Sequence, residues 1–346
     1  MSGSVRIHFA RFVEASRRRA PLYSRLSAGL VEWPALDGLF ADTPEPARVP
    51  TNLFAAVHYL LLGEPDAELR RWYPNLSGSR PTAEGDPLPA FLAFCDDHAD
   101  QVKRLLATRV PQTNEIGRSS LLVAGFNRLP PGPKAQLDVG ASAGLNLMSD
   151  RLGYDDGHGV LGESDLVLEC SVRPAGRRLA TGLPQLASRL GLDANPLDLT
   201  DPEAARWLEA CVWPDQADRF DRLAHAVRLF QRAPVDVRQG DAVDDLAGTL
   251  AELGPGMPVV TTNWALCYLA EQRQREFVAE LERLGTASDL AWLWVESPIQ
   301  VSVLPVPSDL VGSDATVLGY STWRDGRRND RTLARCHPHG YWLTWL

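Results

Sequence analysis

Gln136-Leu-Asp138-Val-Gly140-Ala-Ser142-Ala-Gly144-Leu-Asn146-Leu147 holds the densest concentration of residues able to do chemistry. A short apolar run carrying an acid leads into small residues, with glycine at the first and fifth places of Gly-Ala-Ser-Ala-Gly. The pattern predicts a buried strand turning sharply into a helix over 144–151. Glycine permits the tight turn and the close approach of a ligand, and a helix start offers unpaired N–H groups. A turn without a ligand would need the glycines but not Asp138 beside them.

Three chemistries use such a turn. A dinucleotide site wants Gly-x-Gly-x-x-Gly, but Ser142 and Leu145 occupy the second and third glycine places. A phosphate loop would need a following Gly-Lys-Ser/Thr, which is absent. A hydrolase elbow, Gly-x-Ser-x-Gly, fits literally with Ser142 as nucleophile, and Asp241 and then His337 or His339 follow in Ser…Asp…His order. In that fold several strands precede the elbow, whereas the upstream third here has helical periodicity. The third chemistry is a cradle for a ligand with an ammonium and no phosphate, which an acid at the strand end would complement.

Asp138-Val-Gly140-Ala-Ser142-Ala-Gly144 resembles the Asp/Glu-x-Gly-x-Gly-x-Gly segment that begins the sheet of class I methyltransferases, with one glycine replaced by Ser142. The resemblance implies S-adenosylmethionine as cofactor. It asks for an acid ending a second strand to meet the ribose, and Asp193 in Arg189-Leu-Gly-Leu-Asp193 supplies one, with Glu169 as competitor. The usual spacing to that acid is about 20 residues; here it is longer, and an inserted hairpin within 153–178 would account for it. Asp241-Ala242 after a third strand would lie near the adenine, and Thr262-Asn263-Trp264 would sit at the carboxyl edge, where open α/β sheets bind ligands. Gly140, Ser142, Gly144, Asn146 and Asn263 complete the expected cofactor contacts.

Gln112-Thr-Asn114-Glu115-x-x-Arg118 crowds polar groups before an apolar helix. Thr113 or Asn114 as N-cap and Glu115 in the first turn would explain part of it. The excess points Gln112, Asn114 and Arg118, with Trp264, toward a substrate. Should methyl transfer need a general base, Glu115, His58 or Glu296 would serve. His58 on an apolar helix also reads as a core histidine, and Cys336-His337-Pro-His339 reads as a turn flank rather than a metal site, since no partner cluster accompanies it.

The elements that must position these residues fall into two textures. The first third is helical, over 5–31, 52–62 with Thr51 as N-cap, 88–108 and 114–129, with loops at 34–50 and 78–89. Pro-Pro-Gly-Pro at 130–133 breaks the chain. Beyond it, strands at 136–139, 189–192, 235–238, 258–261 and 290–295 alternate with helices at 202–210, 215–231, 242–253 and 268–283. This alternation predicts an α/β, Rossmann-like, mostly parallel sheet. Runs at 315–323 and 339–346 would close it as an antiparallel pair around a turn at 324–330. The expected domains are a helical cap, 1–132, and a methyltransferase-like sheet domain, 133–346.

Composition excludes several classes. The chain has 346 residues, 45% hydrophobic and 23% charged, which is globular. A net charge of -9 disfavours nucleic acid as partner. Five scattered cysteines form no Cys-x-x-Cys pair, the first twenty residues have no secretory pattern, and no run reaches a membrane span. A cytoplasmic protein with a small-molecule substrate is expected.

The segments NLFAAVHYLLL (52–62), RVPQTNEIGR (109–118), VGASAGLNL (139–147), GLDANPLD (191–198), RWLEACVWP (206–214) and QGDA (239–242) resemble a bacterial family known only as domain of unknown function 2332. They span most of the chain. The methyltransferase likeness of the sheet half implies seven strands with a reversed hairpin.

Overall fold

A computed structural model describes residues 5–78 and 83–346. Residues 1–4 and part of the expected 78–89 loop lie outside the described residues. The helices are α1 (Val5–Ser16), α2 (Pro21–Leu30), α3 (Leu36–Leu39), α4 (Pro50–Gly63), α5 (Leu88–Asp97), α6 (Ala99–Thr108) and α7 (Ser119–Phe126). They continue as α8 (Pro202–Ala210), α9 (Ala217–Arg232), α10 (Leu246–Ala251) and α11 (Glu271–Ala287). The strands are β1 (Lys134–Val139), β2 (Gly153–Asp155), β3 (Val160–Leu161), β4 (Val167–Glu169), β5 (Ser171–Arg173) and β6 (Leu186–Asp193). After them come β7 (Val237–Gln239), β8 (Met257–Asn263), β9 (Leu290–Glu296), β10 (Thr316–Arg324), β11 (Arg327–Cys336) and β12 (Trp342–Trp345).

The chain forms two compact units, Met1–Thr113 with Leu199–His225 and Asn114–Asp198 with Ala226–Leu346. This differs from a cut at 132. Every residue of α7 is buried and the helix packs on β9 and β10, which draws 114–132 into the sheet unit. In the helical unit α8 packs on α4, where Trp207 is buried against Tyr59 with ring centroids 6.0 Å apart.

Proline placement explains two helix starts. Pro21 at the first turn of α2 divides the expected 5–31 helix in two, and Pro50 opens α4, so Thr51 lies inside the helix and Val49 occupies the cap position. The 88–108 stretch also divides, at His98, into α5 and α6. The core of this unit surrounds Phe54, on which Tyr23 stacks at 4.1 Å.

The sheet unit carries a nine-stranded sheet in the order β5-β12-β11-β10-β9-β8-β1-β6-β7. The five strands from β9 to β7 are mutually parallel, and β10, β11 and β12 follow on the other side of β9, each antiparallel to the strand before it. The fold is therefore mixed α/β with a large, mostly parallel sheet. Read along the chain, the parallel strands lie third, second, first, fourth, fifth, so winding reverses between β1 and β8. One face of the sheet packs Leu137, Val260, Trp292 and Trp294 on Phe277 and Leu281 of α11.

The closing strands depart from expectation. Residues 327–330 belong to β11, and the turn is Asp325-Gly326 alone, with φ of 50° and 69°. Two successive left-handed residues make the two-residue hairpin turn that Asp-Gly favours. β10 lies directly beside β9, with β11 and then β12 outside it, so among the described residues the sheet has nine strands and not the implied seven with a reversed hairpin. The insertion holds more than a hairpin: β3, β2 and β4 form a small sheet, while β5 joins the large one beside β12.

Candidate ligand-binding site

In an open doubly wound sheet, ligands bind outside the carboxyl ends of the strands where winding reverses. Here that point is the end of β1 beside β8, in the sheet unit. After Val139 the backbone turns through Gly140 (φ 75°), Ser142 (φ 54°) and Gly144 (φ 81°). It continues as a 3-10 stretch, Leu145–Arg151, kinked at Met148, in place of the expected α-helix.

The turn's N–H groups are used within the chain. Gly140 donates to the Leu192 carbonyl at 2.8 Å, Ser142 to Asp193 Oδ2 at 2.7 Å, Gly144 to the Ala141 carbonyl at 2.8 Å and Leu145 to Asn114 Oδ1 at 3.0 Å. The glycines are required by packing: a Cβ on Gly140 would stand 2.4 Å from Ala265 Cβ, and one on Gly144 2.8 Å from a Val235 methyl. Asn146 Oδ1 accepts from the Ser119 hydroxyl at 3.0 Å, which seats the turn on α7.

Three acids end three adjacent strands. Asp138 closes β1, buried, and its Oδ1 accepts from the Thr261 hydroxyl at 2.6 Å, which in turn accepts from Gln136 Nε2 at 3.1 Å. Burial pushes the Asp138 carboxyl up to about 7; Asp193 adds to the rise, while the Thr261 bond and Arg118 oppose it. Asp193 closes β6, next to β1, and its Oδ1 accepts from Asn195 N–H at 2.8 Å. Glu169 lies in β4 of the small sheet, so Asp193 is the acid beside the turn. Asp241 follows β7, exposed, accepts from the Val243 and Asp244 N–H groups and pairs with Arg273 at 2.5 Å. The half-buried Ala242 follows it.

Beyond β8 the walls are polar. Arg118, buried, donates to the Asn263 carbonyl at 3.0 Å and the Pro338 carbonyl at 2.7 Å, and its guanidinium carbon lies 5.7 Å from the centroid of the Trp264 ring. It thus joins the 3-10 turn Ile116–Arg118, the end of β8 and the segment after β11. Glu115 caps that turn through Gly117 N–H at 2.9 Å, in place of Thr113 or Asn114, and its Oε2 lies 3.3 Å from His339 Nδ1. Glu296 closes β9 with Oε1 accepting from Ala265 and Leu266 N–H at 3.0 and 3.2 Å, and burial raises it to about 7 against those bonds and Arg118.

Asn263 is 7% exposed, and neither Oδ1 nor Nδ2 has a partner in the protein; Trp264 Nε1 is buried and equally unpartnered. Trp264 also holds a left-handed backbone, φ 57°. Each buried unmade hydrogen bond costs about 1–3 kcal/mol, and a bulky residue at positive φ adds strain. Trp294 Nε1 and Gln136 Oε1 are buried without a partner as well.

The sheet unit therefore gathers Asn114, Glu115, Arg118, Asp138, Gly140, Ser142, Gly144, Asn146, Asp193, Asn263, Trp264 and Glu296 around the ends of β1, β6, β8 and β9. Gln112 and His58 belong to the helical unit. There His58 Nδ1 bonds the Ala210 carbonyl at 3.0 Å and Nε2 meets Asn75 Nδ2 at 3.0 Å, and burial lowers its pKa to about 4. Thr261 and its bonds to Gln136 and Asp138 escaped the sequence reading, although polar residues inside buried apolar runs were a visible signal. His339 was named there as a possible triad histidine, but its link to Glu115 had no local signal, because it spans the length of the sheet unit. Among the described residues, no group of three or more His, Cys, Asp or Glu side chains is placed to hold a metal ion.

The fold defines a two-unit mixed α/β protein whose large, mostly parallel sheet reverses its winding between β1 and β8. The chain belongs to the bacterial family described as uncharacterized protein conserved in bacteria (DUF2332), whose profile matches residues 6–345. No curated protein and no solved structure matches it. Among the described residues, no helix is long and apolar enough to cross a membrane.

Proposed function

We propose that the protein is an S-adenosylmethionine-dependent methyltransferase acting on a small molecule, in a Rossmann-like domain. The observation that carries this reading is the pair of acids on the adjacent parallel strands β1 and β6, Asp138 and Asp193, beside a turn whose N–H groups are largely spent. A phosphate-bearing ligand would want those N–H groups, and carboxylates would repel it. A cationic adenosyl ligand fits the donor set: Asp138 is the buried acid nearest the turn, Asp193 keeps lone pairs for ribose hydroxyls, and Asp241 lies toward the adenine. When bound, the cofactor supplies an electrophilic methyl group on a sulfonium. The chain's own contribution is positional. Arg118 and Glu296 hold the Asn263–Trp264 turn in place, so that an acceptor is kept in line, which can account for much of an enzyme's acceleration. Glu115 beside His339 is the carboxylate best placed to take a proton.

Thermal unfolding with S-adenosylmethionine, S-adenosylhomocysteine and NAD tests this. Ligand at about 100 times its dissociation constant stabilises the native state by roughly 2.7 kcal/mol, and an upward shift is expected with both adenosyl-sulfur compounds and not with NAD. No shift with either at millimolar concentration overturns the reading. Asp138→Ala should abolish it.

A second reading, a serine hydrolase, draws on Ser142 at φ 54°, the strained backbone of a nucleophile elbow. It has less support, because Asp241 pairs with Arg273 and His339 with Glu115. Labelling of Ser142 by a fluorophosphonate, lost in Ser142→Ala, would favour it.

A further inference from the structure

His337-Pro-His339-Gly340 carries the signature of a type I turn, with proline second and glycine fourth. Gly340 N–H closes it on the His337 carbonyl at 3.0 Å, between β11 and β12, and His339 does not take the positive φ of a type II turn. Each residue is anchored separately. His337 N–H donates to the Trp342 carbonyl at 2.9 Å, and the His337 ring, 4.9 Å from Tyr341, accepts His339 N–H on Nδ1 at 3.1 Å. Gly340, at φ 80°, lies so near the Gly117 carbonyl that a Cβ has no room. That approach sets His339 against the turn that Glu115 caps. Arg118 binds the Pro338 carbonyl at 2.7 Å and the Asn263 carbonyl at 3.0 Å, so one guanidinium separates His339's turn from the end of β8.

The pair divides its exposure unequally. The Glu115 side chain is 3% exposed, with Oε1 taken by Gly117 N–H at 2.9 Å and Oε2 3.3 Å from His339 Nδ1. The His339 side chain is 23% exposed, yet its Nδ1 is buried, so its contact with solvent lies on the rest of the ring. The 3.3 Å contact is looser than an aligned hydrogen bond, as catalytic contacts often are before substrate binds. A carboxylate beside one ring nitrogen keeps the proton there and leaves the other nitrogen as the base.

We infer that His339 is the general base of the site and that Glu115 positions it. Both Glu115 oxygens face groups of the protein, so its basicity reaches an acceptor through His339. On the methyltransferase reading, which this rests on and deepens, the acceptor is a neutral hydroxyl or N–H group. Such a group must shed a proton when methylated, whereas a carboxylate brings none. His339 Nε2 takes that proton as the acceptor's lone pair bonds the methyl carbon, and the carbon–sulfur electron pair stays with sulfur. The Glu115 carboxylate beside Nδ1 then stabilises the imidazolium. Arg118 and His337 are the other ionisable groups against the turn, the first on its Pro338 carbonyl and the second on its His339 N–H.

The test uses the full chain with isotope-labelled histidine and needs no turnover. Ring-nitrogen NMR spectra should show neutral His339 as the Nδ1–H tautomer, and Glu115→Ala should return it to the Nε2–H form that free histidine favours. Diethyl pyrocarbonate, which acylates a bare imidazole nitrogen, should label His339 at Nε2, while buried His58, bonded at both nitrogens, resists it. An Nε2–H tautomer, or an unlabelled His339, overturns the inference in wild-type protein alone, so nothing depends on the variant folding. A folded Glu115→Ala protein that keeps the Nδ1–H tautomer overturns the role of Glu115. S-adenosylmethionine differs from S-adenosylhomocysteine by the methyl group and the charge on sulfur. Exchanging one for the other should shift the His339 ring resonances and leave those of His158, between β2 and β3, unmoved. Identical His339 spectra in the two complexes place the ring away from the methyl group and overturn the inference while the methyltransferase reading stands. If neither nucleoside raises the unfolding temperature, that reading fails instead. The tautomer and the labelling, measured without nucleoside, then still decide whether Glu115 and His339 form a base.

Discussion

Asp138 carries a carboxyl group that keeps its proton to about pH 7 in the folded chain, against 3.8 for an ordinary aspartate. Below about pH 4 the folded and unfolded chains both hold that proton, so the group adds no difference. As pH rises from about 4 to 7 the unfolded chain ionises first, so stability falls, and above 7 the loss is constant. Each pH unit between the two values is worth about 1.4 kcal/mol. Asp138→Asn keeps an acceptor for Thr261 and removes the ionisation. Urea unfolding should therefore find the variant gaining on the wild type by up to about 4 kcal/mol between pH 4 and pH 8. A difference that does not change with pH would show that Asp138 ionises freely in the fold. Glu296, raised to about 7 from 4.5, contributes with the same sign and remains in both proteins. A buried acid that destabilises the empty fold at neutral pH is the kind of group a cationic ligand would relieve.

At the scale of elements, the turn from β1 depends on Gly140 lying against Ala265, because β8 and its own turn occupy the space a side chain would need. Gly140→Ala should destabilise by about 1–3 kcal/mol from overpacking, with further strain from φ 75°. Ala265→Gly, added to it, should recover the packing part and leave the strain, which a double-mutant cycle in urea separates. Additive effects would deny the contact. The turn also marks where sequence reading stops. The five parallel strands were legible because each is a short apolar run bounded by polar or turn residues. Asp193 and Asp241 were legible because each follows such a run, and Asp138 because it interrupts one just before the glycine turn. The stretch after Gly144 has helical apolar spacing, yet a left-handed Gly144 and the Asn114 bond to Leu145 N–H accompany a 3-10 path instead. Residues 327–330 look like loop because they are polar, and they are polar because β11 is exposed along much of its length. The unmatched amide of Asn263 has no sequence signature at all, since an unpaired group is defined by its surroundings.

At the scale of the molecule, the chain enters the helical unit twice. Residues 199–225 follow β6 in sequence, yet they pack with 1–113. The ties are specific: Trp207 Nε1 donates to the Val110 carbonyl at 3.1 Å, Leu22 N–H donates to Asp215 at 3.3 Å, and His58 bonds the Ala210 carbonyl. Periodicity reveals α8 as an amphipathic helix, but nothing local says which partner its apolar face meets. The fragment 114–346 would therefore carry α8 with Ala204, Trp207 and Leu208 stripped of cover. A buried aromatic of this kind contributes several kcal/mol, about 3–5 when truncated, so the fragment should aggregate or fail to unfold cooperatively. Co-expression with a separate 1–113 fragment should restore solubility, and the two should co-purify, because the missing surface is supplied in trans. A monomeric 114–346 fragment with one sharp urea transition would show instead that α8 finds sufficient cover within the sheet unit's own chain, and that the helical unit is an addition to a self-sufficient fold.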